Sequence, residues 1–323
     1  MSIYTKPHLT FQQQLELLKS RGLEISDDAA TISCLSRIGY YRMSAYWYSL
    51  RKKSLNQDPI TKKITVTREE LFYPDTTFEQ ALALYVFDKR LRLLVLDAIE
   101  RIEVGFRVEI SHLLGRRDTF AHTNQSELHG NFTKKVKRSG KTGHQEWLEK
   151  YQQILSRSKE DFFKHYQQKY GLPLPIWVSV ELWDFGMLST FYKGMTVADK
   201  TSIAVKFGVP DFQVLESWLR SLNFVRNVVA HHSRLWNKNL IDQPKLPKLG
   251  AIKAFDPIAG LPDINTRIYS VLCILLYLMR TCGPNSNWPI RLRDMVDAFP
   301  SLTHLSVADM GFPADWRTHE LWQ

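Results

Sequence analysis

Cysteine is scarce in this chain: Cys34, Cys273 and Cys282 are its whole complement, odd in number and at no metal-ligand spacing. That speaks against a disulfide framework and against a cysteine-based zinc site, and reads as buried thiols in a reducing cytoplasm. His122, His129 and His144 fall in one region, but with no cysteine beside them and no helical i, i+4 step, so no metal is expected. A glycine-rich phosphate loop, a nucleophile elbow and a Cys-x-x-Cys pair are all missing. NTPase, serine-hydrolase and zinc-finger chemistry therefore have no support, and no cofactor is expected. No repeat of solenoid length occurs. Long apolar runs are missing too: the most apolar, Ile268 to Met279, holds 12 residues between two arginines, which suits a core helix and is too short to span a bilayer. The start, MSIYTKPHLTFQQQ, carries no apolar segment behind a basic one. A cytoplasmic protein with no membrane partner is the expectation.

What is present is an ordinary globular composition with an unusual charge. The 323 residues are 44% hydrophobic and 24% charged, with a formal net charge of +10. Such a surplus favours a polyanionic partner, nucleic acid before an anionic membrane surface. Apolar residues recur at three- and four-residue steps through most of the chain, so the fold class is all-α, mainly helical. Helices are expected over 7–22, from Ser26, from Thr77 to Gly115 as one long helix or two end to end, over 147–170, 197–209, 212–236, 264–282 and 289–298. Residues 52–77 carry a β-branched patch that suits a small hairpin or an extended loop. Segments 1–76, 77–240 and 241–323 divide the chain into an N-terminal region, a helical core with a basic insertion at 116–146, and a C-terminal extension.

Reactive side chains concentrate in WLRSLNFVRNVVAHHSRLWN, residues 218–237. Trp218, Leu219, Leu222, Val225, Val229, Leu235 and Trp236 mark a buried stripe, and Arg226, Asn227, His231, His232 and Arg234 are interleaved with it. Asn227 and His231 are four apart and share a helical face, which favours His231 over His232 as the working imidazole with Asn227 holding its ring. Arg226 and His231 are separated by about 140° on a continuing helix. Their heads meet only if the arginine reaches around, if the helix ends near Ala230, or if a second subunit completes the pair. The chemistry open to such a set is RNA cleavage without metal: a neutral histidine takes the proton of a ribose 2′-hydroxyl and a guanidinium holds the phosphate. The other reading is a structural arginine paired with a carboxylate and histidines that finish the helix.

Supporting candidates lie elsewhere. In IGYYRMSAYWYSLR, the rings of Tyr41, Tyr46 and Trp47 beside Arg42 suit either a stacking platform for single-stranded RNA or a core helix edge. The segment KKVKRSGK, with Lys134, Lys135, Lys137, Arg138 and Lys141 and no acid, suits either a solvated loop or a clamp on a phosphate backbone, and both imply disorder in the free protein. Glu103 either orients the histidine or pairs with Arg226, or else pairs with Arg107 on its own helix. Glu181, in an apolar stretch, is expected to be buried and to need a partner, for which Arg226 is a candidate.

The run RNVVAHHSRLWN resembles the signature of abortive-infection proteins of the AbiD/AbiF type, phage-defence proteins of the HEPN superfamily. The stretches GYYR…YW, ERIEVGFR and the W..VE...FG.LS..Y arrangement of residues 177–192 are similar to that family as well. The resemblance implies an arginine, a polar residue and a histidine after four to six residues, here Arg226, Asn227 and His231, with His232 fitting at five. It also implies a HEPN-like helical bundle, a composite site built from two such motifs in a homodimer, RNA as substrate, and products with 2′,3′-cyclic phosphate ends. A noncatalytic scaffold that holds a structured RNA, and a module that binds a protein, are the alternatives of other classes.

Overall fold

The computed structural model describes residues 5, 7–57, 59, 61–62 and 64–323. They form two compact units, Met1–Leu91 with Leu292–Asp309, and Arg92–Arg291 with Met310–Gln323. The fold is mainly helical, and among the described residues the only sheet has two strands.

In the first unit α1 (Phe11–Ser20) begins at a capping box, in which Gln13 N–H donates to Thr10 Oγ1 at 3.2 Å and Thr10 N–H to Gln13 Oε1 at 2.9 Å. Leu15 and Leu18, on one face, are fully buried. Asp27 caps α2 (Asp28–Ile38) through the Ala30 N–H, and Gly39 at φ +91° turns the chain into α3 (Tyr40–Trp47). The expected hairpin forms: β1 (Arg51–Gln57) pairs antiparallel with β2 (Ile64–Phe72), placing Leu55 opposite Val66. Part of its turn lies outside the described residues. The next helix, α4 (Phe78–Gly115), is a single run of 38 residues. Thr77 and Gln80 cap it reciprocally at 3.1 and 3.2 Å, and the boundary between the units falls inside it after Leu91.

The second unit continues through α5 (Gly130–Thr133), α6 (Gly143–Arg157), α7 (Asp161–Tyr170), α8 (Ile176–Ser179), α9 (Phe185–Gly194), α10 (Val197–Lys206), α11 (Phe212–Ala230) and α12 (Ile268–Cys282). α13 (Trp288–Asp297) crosses from the second unit into the first. Eleven of the fifteen residues of α12 are buried, so it is a core helix apolar on nearly all sides. Among the described residues no helix is long and apolar enough to cross a membrane. The C-terminal segment docks on α12: the Trp322 ring stacks on Tyr269 at 5.8 Å and its Nε1–H donates to Cys273 Sγ at 3.4 Å.

Three expectations are corrected. Residues 147–170 are two helices, α6 and α7, because Ser158 leaves the helix in an extended conformation and Asp161 opens a new first turn where its charge is favourable. The helix expected over 212–236 stops at Ala230. The 116–146 segment is folded: Phe132 packs so closely on Gly194 and Gly143 that neither position has room for a Cβ, and Ala121, His122 and His144 are fully buried. Low apolar content concealed a packed insertion.

Candidate functional site

Asp211 starts α11 by accepting from the Gln213 N–H at 2.7 Å, and Leu215, Trp218, Leu219, Leu222 and Val225 bury one stripe of it completely. The other end is a Schellman turn. His232 N–H donates to Val229 O at 2.9 Å, Ser233 N–H donates to Val228 O at 3.0 Å, and His232 takes φ +55°. A histidine therefore holds the left-handed position that glycine usually fills, which an L side chain adopts only at some cost. Leu235 and Trp236, which lengthened the apolar pattern, are fully buried after the reversal and not on the helix stripe.

Arg226, Asn227 and His231 sit on either side of this ending. The Arg226 guanidinium, half-buried, donates through Nη1 to Asn227 Oδ1 at 3.4 Å. Two acids from other helices lie within its field. Burial pushes the Glu103 carboxyl of α4 above its ordinary range, and the charges of Arg107 and Arg226 offset this only in part. Burial acts the same way on Asp184, the N-cap of α9, but there it is overcome: Lys150 at 2.7 Å, the Met187 N–H at 2.7 Å and the charge of Arg226 bring the carboxyl below its ordinary range. His231 is the C-cap; its N–H donates to Asn227 O at 3.0 Å, and its exposed ring hydrogen-bonds to none of the described residues. The expected hold of Asn227 on that ring is not formed: Asn227 accepts from Arg226 through Oδ1, and His231 lies past the last residue of α11. His232 is exposed and Arg234 half-buried.

A family profile described as Abi-like protein matches residues 33–237. The chain belongs to the Abi-like protein family. That places it with proteins of abortive-infection phage defence. No curated protein and no solved structure matches it.

The matched span contains every candidate site residue of this Abi-like chain, but the structure sorts them. Tyr46 and Trp47 of α3 are buried, with Tyr46 O–H donating to Asp88 Oδ2 at 2.8 Å and Trp47 packed edge-on to Tyr40 at 5.1 Å. Neither ring offers a face to a base, which corrects their place in a stacking platform. Tyr41 is 91% exposed and Arg42 is exposed. In the basic segment Lys134, Lys135 and Arg138 are exposed, whereas Lys137 pairs with Glu146 and Lys141 with Glu149 at 2.6 Å. Glu181 is also corrected: its side chain is 54% exposed and pairs with Arg107 at 3.5 Å, not with Arg226. Arg107 in turn bonds Glu103 at 2.5 Å and Trp183 O at 2.6 Å, so the pairing within α4 is formed and is tied to the start of α9. Sequence reasoning did not single out Asp184, which lies 42 residues before Arg226 in the chain.

The Abi-like fold also hides two histidines. His144 Nε2–H donates to His122 O at 2.8 Å, and His122 lies among the rings of Trp147, Tyr151 and Trp183. Neither ring nitrogen of His122 finds a hydrogen-bond partner among the described residues. Burial, helped by His144, lowers its pKa to about 4, so it is neutral at physiological pH.

Proposed function

We propose that this Abi-like protein binds RNA and cleaves it as an endoribonuclease of HEPN type. Arg226 is the phosphate ligand, Asn227 holds the guanidinium, and His231 transfers protons, with His232 as a second candidate. The observation that carries this is a half-buried arginine whose charge acts on two acids of other elements, Glu103 and Asp184, five residues before an exposed imidazole on a chain reversal. In the reaction the 2′-hydroxyl oxygen attacks the adjacent phosphorus as its proton goes to an imidazole. The bond to the 5′ oxygen breaks, and that oxygen takes up a proton, leaving a 2′,3′-cyclic phosphate and a 5′-hydroxyl. With His231 as the working imidazole of each copy, a homodimer supplies both proton transfers.

The test is cleavage of end-labelled single-stranded and structured RNAs by wild type and His231→Ala in EDTA, with product ends identified. Cyclic-phosphate ends present with wild type and absent with the variant support the reading. A second reading has its own observation: Asn227 bonds to Arg226 and leaves the His231 ring unheld. That suits a noncatalytic scaffold for a structured RNA, and salt-sensitive binding without cleavage by either protein would select it.

A further inference from the structure

The ending of α11 leaves unexplained the polar line that leads to it. Glu216, Arg220, Asn223 and Asn227 follow one another at four-, three- and four-residue steps, so they share one face over about 16 Å of helix. α9 lies antiparallel beside that face. At one end a Cβ on Gly186 would stand 3.4 Å from Asn223 Oδ1, and at the other Lys193 Nζ is 4.0 Å from Glu216 Oε1. Ser189 and Thr190 continue the α9 side, and two adjoining cavities of about 360 and 390 Å³ open at the Lys193 end.

The charge of this furrow is unbalanced. Five cations line the cavities, Lys137, Lys193, Lys200, Arg220 and Lys245, with Glu216 as the acid among the lining residues; Lys137 also pairs with Glu146 and Arg220 with Asp242 at 3.3 Å, which leaves a surplus of two positive charges. Lys200 is only 7% exposed; its ammonium lies 3.4 Å from Glu216 Oε2 and 4.5 Å over the Phe212 ring, and it shares that carboxylate with Lys193. Cations gathered in a partly enclosed space attract an anion strongly. A length of about 16 Å suits a chain of phosphates better than one. Cavities of this size hold a few backbone phosphates and not a duplex. Beyond the cavities the polar face of α11 continues through Asn223 to Asn227, which bonds to Arg226, and His231 follows one turn later.

We propose that the furrow between α9 and α11 is a track for the backbone of a single RNA strand, entering at Lys193 and Lys245 and delivering a phosphate to Arg226. The inference rests on the RNA-cleaving reading. Its test is the affinity of a fluorescein-labelled single-stranded oligoribonucleotide at several salt concentrations, measured in the His231→Ala protein so that the probe survives. Lys193→Glu with Lys245→Glu is compared with Lys134→Glu with Lys135→Glu in the basic segment; all four side chains are exposed, and melting temperatures verify folding. The furrow pair is expected to weaken binding at least tenfold and to reduce the slope of log affinity against log salt by about 1.4, the value for two single-strand phosphate contacts. Glu216→Gln, which keeps an acceptor for Lys200, is expected to tighten it. Unchanged affinity in the furrow pair, or an equal loss in the basic-segment pair, overturns the track and leaves RNA binding standing. A parent protein that binds no RNA overturns both.

Discussion

His122 and His144 lie buried in the second unit, whereas His231 and His232 stand exposed where α11 reverses. The first pair is surrounded by aromatic rings, and the only hydrogen bond the two imidazoles make among the described residues is from His144 to the His122 carbonyl. The second pair has no such enclosure. Burial turns an imidazole into a neutral packing element, and a helix end leaves it able to meet a substrate. Residue type alone does not separate the two uses; environment does.

The largest expected effect tests the exposed side of this contrast. His231→Ala is expected to lower RNA cleavage by about 10²–10⁴-fold, the usual worth of a general acid or base, with stability changed by no more than about 0.5 kcal/mol. A melt that collapses with the activity would place His231 among the structural histidines. Next comes acid unfolding. In the unfolded chain His122 takes a proton near pH 6.5, but in the folded one only near pH 4. Its contribution is thus complete above pH 6.5 and is lost as the pH falls from there toward 4, by about 3 kcal/mol over the window. Denaturant melts across that range check it, and flat stability between pH 6.5 and 4 would dissolve the contrast.

His122→Leu sharpens the same point with a smaller effect. A neutral imidazole carries one donor and one acceptor, and neither is satisfied here, so an apolar side chain of similar size is expected to raise stability by about 1–2 kcal/mol at neutral pH. It should also remove much of the acid-sensitive limb. Loss of stability instead would show that the ring is held by more than packing. Smallest is His232→Gly, expected to stabilise by up to about 1 kcal/mol by relieving φ +55° at a side-chain-bearing residue. If cleavage falls while the melting temperature rises, the His232 ring serves the reaction.

Much of the fold was legible from periodicity. The long α4, the hairpin and the core helix α12 each repeat their apolar residues at a period that admits few alternatives. Legibility failed where packing is made by few residues. The insertion at 116–146 is held by Phe132 on two glycines and by buried histidines, none of which registers as apolar periodicity. Tyr46 and Trp47 could not be divided from Tyr41 by composition, since aromatic residues serve cores and RNA surfaces alike. At the candidate site Arg226, Asn227 and His231 could be picked out by residue type and spacing. The acid that accompanies Glu103 could not, because Asp184 is 42 residues away from Arg226 in the chain and is joined to its surroundings by tertiary packing. The cationic cavities were invisible for the same reason: Lys193, Lys200, Arg220 and Lys245 come from α9, α10, α11 and the segment after it, and only tertiary packing brings them together.

The reversal after Ala230 also bears on how such a motif can vary. Within a continuing helix, each residue inserted between the arginine and the histidine would swing the imidazole by about 100° and ruin the pairing. Past a chain reversal, an extra residue is absorbed by the loop, and the ring moves a short way along it. His231 and His232, at four and five intervening residues, are two adjacent stations on that loop. Under the proposed function the role can therefore pass from one histidine to its neighbour without rebuilding the helix that carries the arginine.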